Sequence, residues 1–199
     1  MRIIAGTLKG RVLKAPKGNR TRPTADRVKE ALFSILGVLD ERNVLDLYAG
    51  TGALGIEALS RGARRAIFVE ASHESMKCLM DNLRGLNLTD RSRAIHSPVE
   101  RARNEIARNS PFDLVFCDPP WSKTVAVWEL LVKTEVAQYL APEGLLVLEH
   151  PATEGVNTEH WRELGLVLTR AWGDSAITIL QKRASRTNAE HPTTHEPDR

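Results

Sequence analysis

The sequence predicts an α/β domain whose sheet is mostly parallel and doubly wound, with an antiparallel addition at its end. Two observations predict this fold. Short apolar runs alternate with helix-like segments from Val44 to Glu149, which is the pattern of repeated strand–helix units. The last two apolar runs, at residues 166–172 and 176–180, are separated by only three residues, a gap that permits a hairpin but not a parallel crossover.

The predicted elements follow one another in a regular order. Residues 3–5 and 12–14 are strand-like and predict a small N-terminal β-hairpin extension, and apolar spacing predicts a helix at residues 25–36. A seven-stranded sheet is expected from strands at residues 44–48, 66–70, 93–96, 112–117, 144–149, 166–172 and 176–180. Further helices are expected at residues 53–60, 72–86, 99–108 and 125–140.

Length and composition indicate one globular domain. A chain of 199 residues with 42% hydrophobic content suits a single domain with a short extension. No apolar run approaches the roughly 18 residues of a membrane span, and the N-terminus lacks the apolar core of a signal peptide. We therefore expect a cytoplasmic monomer without a membrane partner. We divide it into a basic arm at residues 1–22, a main domain at residues 23–182 and a disordered tail at residues 183–199.

The cysteines and histidines do not indicate a metal site. Cys78 and Cys117 lie in apolar contexts, which is typical of buried free thiols. The six histidines show no ligand-like clustering, and the spaced pair His191 and His195 lies in the polar tail. No bound metal is expected.

Positive charge is concentrated at the N-terminus. Residues 1–22 contain seven basic and no acidic residues, so the rest of a chain of net charge +3 carries −4. A basic arm on an acidic body indicates an anionic partner at one end, with a merely solvated terminus as the alternative. The basic residues of the arm are Arg2, Lys9, Arg11, Lys14, Lys17, Arg20 and Arg22.

A glycine-rich turn follows the strand at residues 44–48. Gly50, Gly52 and Gly55 fit the pattern G-x-G-x-x-G at the opening of a helix. Because glycine has no Cβ, backbone amides and the helix N-terminus can approach a nucleotide closely. Glu70 ends the next strand, where a carboxylate can accept hydrogen bonds from ribose hydroxyls. The glycines alone leave two ligands open, the pyrophosphate of NAD or the methionine and ribose of S-adenosylmethionine (SAM).

The segment Asp118-Pro119-Pro120-Trp121 directly follows the strand at residues 112–117. Consecutive prolines fix the backbone and remove two donors, which leaves carbonyl acceptors, a carboxylate and an indole. This set suits a planar ring with an exocyclic amine that stacks on Trp121 and donates to Asp118 and to the Pro119 carbonyl. An NAD dehydrogenase would explain neither this loop nor the antiparallel ending.

These residues resemble a known family. The Asp-Pro-Pro-aromatic loop is similar to the amine-methylating motif of SAM-dependent N-methyltransferases. The chain up to about Lys182 resembles the RsmD type, which methylates guanine N2 in 16S ribosomal RNA. The resemblance is carried by Arg2-Ile-Ile-Ala-Gly with Gly10-Arg11, and by residues 21–33, 45–63 and 113–121. Arg22-Pro23-Thr24, with Arg27 and Glu30 downstream, indicates this family in particular.

The resemblance implies a Rossmann-like class I methyltransferase fold, SAM as cofactor, and 16S rRNA or the assembling 30S subunit as partner. SAM would lie over the glycine turn, with its ribose on Glu70 and its amino group near Asp46. Asp118 would orient the amine and take the proton that it releases. The implied SAM-binding residues are Asp46, Tyr48, Ala49, Gly50, Thr51, Gly52, Glu70, Ala71, Pro98 and Val99, and the implied catalytic residues are Asp118, Pro119, Pro120 and Trp121.

Two positions depart from the family pattern. Trp121 stands where the family usually has Phe or Tyr, which preserves stacking but changes the fit of the base. Pro98 stands where many relatives place Asp or Asn against the adenine amine. Because proline cannot make that bond, adenine recognition is expected to rest on the Val99 amide and on apolar packing.

Other functions stay open from the sequence. Enzymes that methylate adenine N6 in DNA, or a glutamine amide in a protein, share the Pro-Pro-aromatic loop. The DNA enzymes usually carry a larger target-recognition insert, for which this chain has no room. An RNA-binding assembly factor without catalysis could retain the same fold, but the presence of Asp46, Glu70 and Asp118 argues against it.

Overall fold

The computed structural model describes residues 1–16, 23–133, 135–161 and 163–184. Three of the predicted RNA-binding residues, Lys17, Arg20 and Arg22, lie outside the described residues, and so does the predicted tail from residue 185 onward. None of the helices in these ranges is both long enough and apolar enough to cross a bilayer.

The described residues form one seven-stranded sheet with helices on both faces, which confirms the predicted fold class. The strands are β1 (Asn43–Leu47), β2 (Arg65–Glu70), β3 (Ser92–His96), β4 (Phe112–Cys117), β5 (Leu140–Pro151), β6 (Leu164–Trp172) and β7 (Ser175–Lys182). The helices are α1 (Pro23–Leu36), α2 (Ala53–Ser60), α3 (His73–Gly85), α4 (Arg103–Asn109) and α5 (Thr124–Lys133). The spatial order is β3-β2-β1-β4-β5-β7-β6, and only the pairs that involve β7 are antiparallel among these strands.

The sheet separates two hydrophobic cores because successive strand residues point to opposite faces. Val44 packs in a core formed with α1, α2 and α3, on what we call the first face. Leu45 and Leu47 pack in a core formed with α4 and α5, on the second face. Asp46 lies between these two leucines in β1, so alternation places it on the first face.

The second half of the chain differs from the prediction in its boundaries. The helix expected at residues 125–140 ends at Lys133, and Leu140 instead begins β5. Glu135 has a positive φ of 51°, a left-handed conformation that cannot continue an α-helix. The helix expected at residues 99–108 is divided into a 3₁₀ turn at Val99–Arg101 and α4.

The N-terminal arm folds back on itself through a single bridge between Arg2 and Val12, so the two short strands expected there are reduced to one paired position. The reason lies outside the arm. The amides of Ile4 and Ala5 donate to the carboxylate of Glu57 in α2, at 2.8 and 3.0 Å, and are therefore unavailable for strand pairing.

Glu57 is the centre of a buried ion cluster beneath the arm. Its Oε2 lies 3.2 Å from Nζ of Lys29, and its Oε1 lies 2.8 Å from Nε of Arg61. The side chains of Glu57 and Lys29 are 0% and 4% exposed. Lys29 Nζ also donates to the Arg2 carbonyl at 2.6 Å. One buried carboxylate therefore connects the arm to both α1 and α2.

Candidate functional site

The turn between β1 and α2 has unusual backbone geometry. Tyr48, Gly50 and Gly52 have φ angles of 58°, 56° and 84°. The turn is closed by a hydrogen bond of 2.7 Å from the Gly52 amide to the Ala49 carbonyl. Glycine adopts such angles without strain, but tyrosine does not, and strained residues concentrate at ligand sites. Tyr48 therefore marks this turn as a candidate binding element.

Glu70, at the end of β2, holds the turn in place. Its Oε2 accepts from the Gly50 amide at 2.7 Å, and its Oε1 accepts from the Ser72 amide at 2.6 Å. A Cβ added to Gly50 would meet nothing within 4 Å, so the space above the turn is open. Each carboxylate oxygen has a second lone pair. Glu70 can therefore fix the turn and still accept a hydrogen bond from a ligand.

Asp46 is 1% exposed and connects β1 to the start of α2. Its Oδ2 accepts from the Gly55 amide at 2.8 Å. A Cβ at Gly55 would lie 2.3 Å from Cε1 of Phe68 and 3.1 Å from Oδ2 of Asp46, so only glycine lets α2 approach the sheet this closely. Burial raises the pKa of Asp46 to about 8, although the Gly55 hydrogen bond opposes this effect.

Three carboxyl groups lie on adjacent strands at one edge of the sheet. Asp46 is in β1, Asp118 directly follows β4, and Glu149 is near the end of β5. Cys117 pairs with Leu148, so Asp118 and Glu149 are the next neighbours across this strand pair. Cys117 and Leu148 both pack in the second-face core. Alternation therefore directs Asp118 and Glu149 to the first face, together with Asp46.

Each carboxyl in this group lies close to other acids, and among the described charged residues only His150, beside Glu149, acts in the opposite sense. Asp118 is accessible to solvent as a whole residue, but desolvation by the protein atoms around its carboxyl group raises its pKa above the ordinary value, and the charges of Glu149 and Asp46 raise it further. Burial also raises the pKa of Glu149, opposed by a hydrogen bond from Ser175 and by nearby His150. Such a site favours a positively charged ligand and disfavours the anionic pyrophosphate of NAD.

The Pro-Pro loop presents a partly exposed indole. Pro119 is buried, Pro120 is exposed, and Trp121 is 36% exposed at the start of a 3₁₀ turn. The Pro120 carbonyl accepts from the Lys123 amide at 2.8 Å, and the Trp121 carbonyl accepts from Oγ1 of Thr124 at 2.9 Å. These bonds join the loop directly to α5, so they hold the backbone that carries the indole.

Pro98 and Val99 lie after β3, at the same edge of the sheet. Pro98 is exposed, and its carbonyl accepts from the Arg101 amide at 3.0 Å. Val99 is 7% exposed and packs in the second-face core, against which Tyr48 also packs. Within the described part of the chain, the buried Tyr48 hydroxyl has no hydrogen-bond partner. A ligand in this region would meet an apolar wall with one available hydroxyl.

The structure therefore brings the predicted site residues to one edge, at the ends of β1, β2, β3 and β4. Tyr48 to Gly52 form the turn after β1, Ala71 is exposed after Glu70, and the Thr51 carbonyl accepts from Asn82 Nδ2 at 3.0 Å. Asn82 was not predicted. Its amide group also exchanges hydrogen bonds with the backbone of Lys14, at 2.7 and 3.1 Å, so it joins the arm to the glycine turn. One indication of its role was present in the sequence, because Asn82 is a polar residue next to the apolar positions of α3.

Glu149 is the second site residue that the sequence prediction missed. It was expected only as the end of a strand, although it ends an apolar run in the same way as Glu70. That position relative to a parallel strand was the available signal.

The described basic residues of the arm are exposed: Arg2, Lys9, Arg11 and Lys14. Lys14 Nζ lies 3.3 Å from Oδ2 of Asp81, and Arg2 Nε lies 4.0 Å from Oδ2 of Asp26. Exposed pairs of this kind contribute about 0–1 kcal/mol, so they leave the basic side chains available to an anionic partner.

Asp46→Asn is expected to flatten the pH dependence of stability, because asparagine keeps the size and the acceptor of the side chain. The pKa of Asp46 is about 8 in the folded protein and about 3.9 in an unfolded chain. Protonated Asp46 therefore contributes stability that is fully present below about pH 4 and is lost as the pH rises through about 8. Between about pH 5.5 and pH 9, the wild-type protein should lose roughly 3 kcal/mol more than the variant.

The measurement is urea denaturation of both proteins, without ligand, at the two pH values. Equal losses of unfolding free energy would contradict the prediction, because Asp46 would then already be ionised in the folded protein at the lower pH.

Comparison with known proteins identifies relatives along almost the whole chain. A family model described as Conserved hypothetical protein 95 matches residues 1–181. The Bacillus subtilis protein "Putative rRNA methyltransferase YlbH" is 39% identical over 193 residues, covering 92% of this chain and 100% of the relative. "Ribosomal RNA small subunit methyltransferase D" of Escherichia coli is 36% identical over 188 residues, covering 92% and 91%. The solved structure "Putative methyltransferase yhhF from Escherichia coli" superposes with a TM-score of 0.78 at 34% identity, covering 93% and 99%.

Proposed function

The chain belongs to the Conserved hypothetical protein 95 family, which includes the RsmD-type proteins, and we propose that it methylates the N2 amine of a guanine in 16S rRNA with SAM as methyl donor. The observation that carries this proposal is the convergence of the glycine turn and the Asp118-Pro119-Pro120-Trp121 loop at one edge of the sheet. The glycine turn suits the methyl donor, and the loop suits an amine on a planar ring. The name of the Bacillus subtilis relative supports rRNA as the acceptor, and that of the Escherichia coli relative supports rRNA of the small subunit.

The residues at this edge fit SAM, which carries a positive sulfonium and an ammonium group. Burial and neighbouring acids raise the pKa of Asp46 and Asp118, so a nearby positive charge would stabilise their ionised forms, and the buried Tyr48 hydroxyl lacks a partner within the described ranges. Asp46 would hold the amino group, Glu70 the ribose hydroxyls, and Val99 the adenine. Bound SAM supplies an electrophilic methyl group.

The Pro-Pro loop would orient the acceptor. The lone pair of the guanine amine is delocalised into the ring, so this amine is a weak nucleophile. Asp118 and the Pro119 carbonyl would accept hydrogen bonds from its two N–H groups. These hydrogen bonds would direct the lone pair of the nitrogen out of the ring plane. Trp121 would stack on the base, which is worth roughly 1–3 kcal/mol. Orientation of this kind supplies several kcal/mol of the rate enhancement.

We propose that the basic arm binds the phosphates of the RNA. The target base must leave its stack to reach Asp118, at a cost of a few kcal/mol, and phosphate contacts can offset that cost. Arg2, Lys9, Arg11 and Lys14 are exposed on an arm that Glu57 and Asn82 hold against the domain. The arm is therefore positioned before RNA binds.

The double variant Lys9→Gln/Arg11→Gln is expected to weaken RNA binding and to reduce its salt dependence. If both side chains contact phosphates, the slope of log K against log salt falls by about 1.4–1.8. Binding is measured by fluorescence anisotropy with a 16S rRNA fragment at several salt concentrations. The control is Arg108→Gln/Lys133→Gln, which removes two exposed basic side chains from helices on the second face. An arm variant with the wild-type slope would show that Lys9 and Arg11 do not contact phosphates.

The experiment that tests the function combines calorimetric titration with SAM and transfer of a labelled methyl group. We expect one SAM molecule per chain and label in the 16S rRNA of subunits from a strain that lacks the protein. RNA binding without SAM binding would favour a non-catalytic assembly factor. Label in DNA or protein would favour the other amine acceptors.

A further inference from the structure

Glu149 is an acidic residue at the candidate site to which the proposed function gives no role. It follows Leu148 in β5, and Leu148 pairs with Cys117, the residue before Asp118. Desolvation of an ionised acid is costly unless a hydrogen bond or an opposite charge compensates for it. Here one hydrogen bond is present, since Oγ of Ser175 donates to Oε1 of Glu149 at 2.8 Å.

The surroundings of Glu149 hold it in one position. Ser175 begins β7, is 8% exposed, and belongs to the strand that pairs with β5 along this stretch. The next residue, His150, is 1% exposed, and its Nδ1 donates to the Pro151 carbonyl at 2.9 Å. Its Nε2 lies 2.9 Å from Oγ1 of Thr178 in β7. The end of β5 is therefore fixed from the side opposite to Asp118.

We propose that Glu149 is a positioning residue of the acceptor site and that Ser175 holds it beside Asp118. The negative charge of Glu149 makes the Asp118 carboxylate a stronger acceptor for the proton that the amine releases. The identity of that amine rests on the proposed function. The coupling between the two carboxyls does not depend on it.

The chemistry explains why such coupling is useful. During transfer, a bond forms between the methyl carbon and the acceptor nitrogen while the C–S bond breaks and its electron pair stays on sulfur. The nitrogen becomes positively charged and then releases one proton, which passes to Asp118. An ordinary aspartate, with a pKa of about 3.9, is a weak proton acceptor, and a negative neighbour makes it a stronger one.

Other ionisable groups influence this pair of carboxyls or lie on elements that pack near it. Asp46 comes from β1 and acts on Asp118 in the same direction as Glu149, but Glu149 has the larger effect. His150 on β5 acts on Glu149 in the opposite direction. The Cys117 thiol, whose pKa burial raises, precedes Asp118 in the chain but packs on the second face of the sheet. From α1, which packs on the first face, Lys29 is already paired with Glu57 at 3.2 Å.

The test is a ¹³C NMR titration of protein labelled at the aspartate carboxyl carbons, without SAM or RNA. The Asp118 signal is identified by its loss in Asp118→Asn. Glu149→Gln removes the charge but keeps an acceptor for Ser175, and we expect the apparent pKa of Asp118 to fall by about one pH unit or more. In methyl transfer, the acid limb of the kcat profile should move to lower pH by a similar amount, with a lower plateau.

Two variants serve as controls. Glu149→Asp keeps the charge and should leave the titration of Asp118 near its wild-type position. Glu143→Gln removes an exposed acid from the same strand and should have no effect. An unchanged Asp118 titration in Glu149→Gln overturns the inference, even if transfer is slower. If Glu149→Gln lowers the pKa of Asp118 but the wild-type protein transfers no methyl group to RNA, the electrostatic interaction between Glu149 and Asp118 is supported and the proposed function is overturned instead.

Discussion

Asp118→Ala is expected to reduce methyl transfer from SAM to 16S rRNA by about 100-fold or more, while SAM affinity changes little. In the proposed mechanism, the variant loses both the acceptor that orients the amine and the group that takes its proton. Asp118 is accessible at the end of β4 and stands directly before the buried Pro119. The backbone of the loop should therefore keep its shape when the carboxyl group is removed.

Asp118→Asn separates the two roles of the carboxyl group. Asparagine retains one oxygen acceptor but cannot take a proton at neutral pH, so its rate should lie between those of the wild type and Asp118→Ala. Single-turnover experiments measure the rate of methyl transfer, and calorimetric titration measures the affinity for SAM. Asp90→Ala, at another exposed aspartate, is the matched control. Near-normal turnover of Asp118→Ala would contradict the role given to Asp118.

Glu57→Gln is expected to lower the free energy of unfolding by about 3–5 kcal/mol, because it leaves the buried Lys29 ammonium without its counter-charge. The glutamine also provides a single carbonyl oxygen where the carboxylate accepted from the amides of Ile4 and Ala5. We therefore expect both a less stable domain and a loosened arm. Urea denaturation measures the first effect, and faster hydrogen exchange at those two amides measures the second.

Glu129→Gln is the matched control for Glu57→Gln. Glu129 pairs with Lys133 at 3.7 Å, but these side chains are 64% and 75% exposed. Loss of such a surface pair costs at most about 1 kcal/mol. Equal, small effects of the two substitutions would show that the Glu57 cluster does not hold the arm to the domain.

The sheet could be predicted because its signals are local. Buried parallel strands are short apolar runs, and the three residues between the last two runs allow only a hairpin. The end of α5 was predicted too late because the left-handed conformation of Glu135 has no signature in an apolar pattern. The pairing of the arm was predicted too strongly because its competitor, Glu57, lies more than 50 residues away in the chain.

The residues of the candidate site also divide into those with local sequence signals and those that depend on contacts between distant parts of the chain. Asp118-Pro119-Pro120-Trp121 could be identified because consecutive residues carry its chemistry. For Glu149 the sequence offered only its place at the end of an apolar run, since its proximity to Asp118 depends on the register between β4 and β5. The hydrogen bond from Asn82 to Thr51 likewise requires α3 to be placed against the glycine turn. Residues that act across strands or helices leave weak signals in the sequence, and their partners are known only from the three-dimensional structure.

The most direct test of the proposed function is mass-spectrometric mapping of the methylated nucleotide. Small subunits from a strain that lacks the protein are incubated with the purified chain and deuterated SAM, and the 16S rRNA is then digested. We expect a single guanine that carries the deuterated methyl group on N2, and no such product with Asp118→Ala. Label on adenine or on ribosomal protein, or no label despite SAM binding, would contradict the proposal.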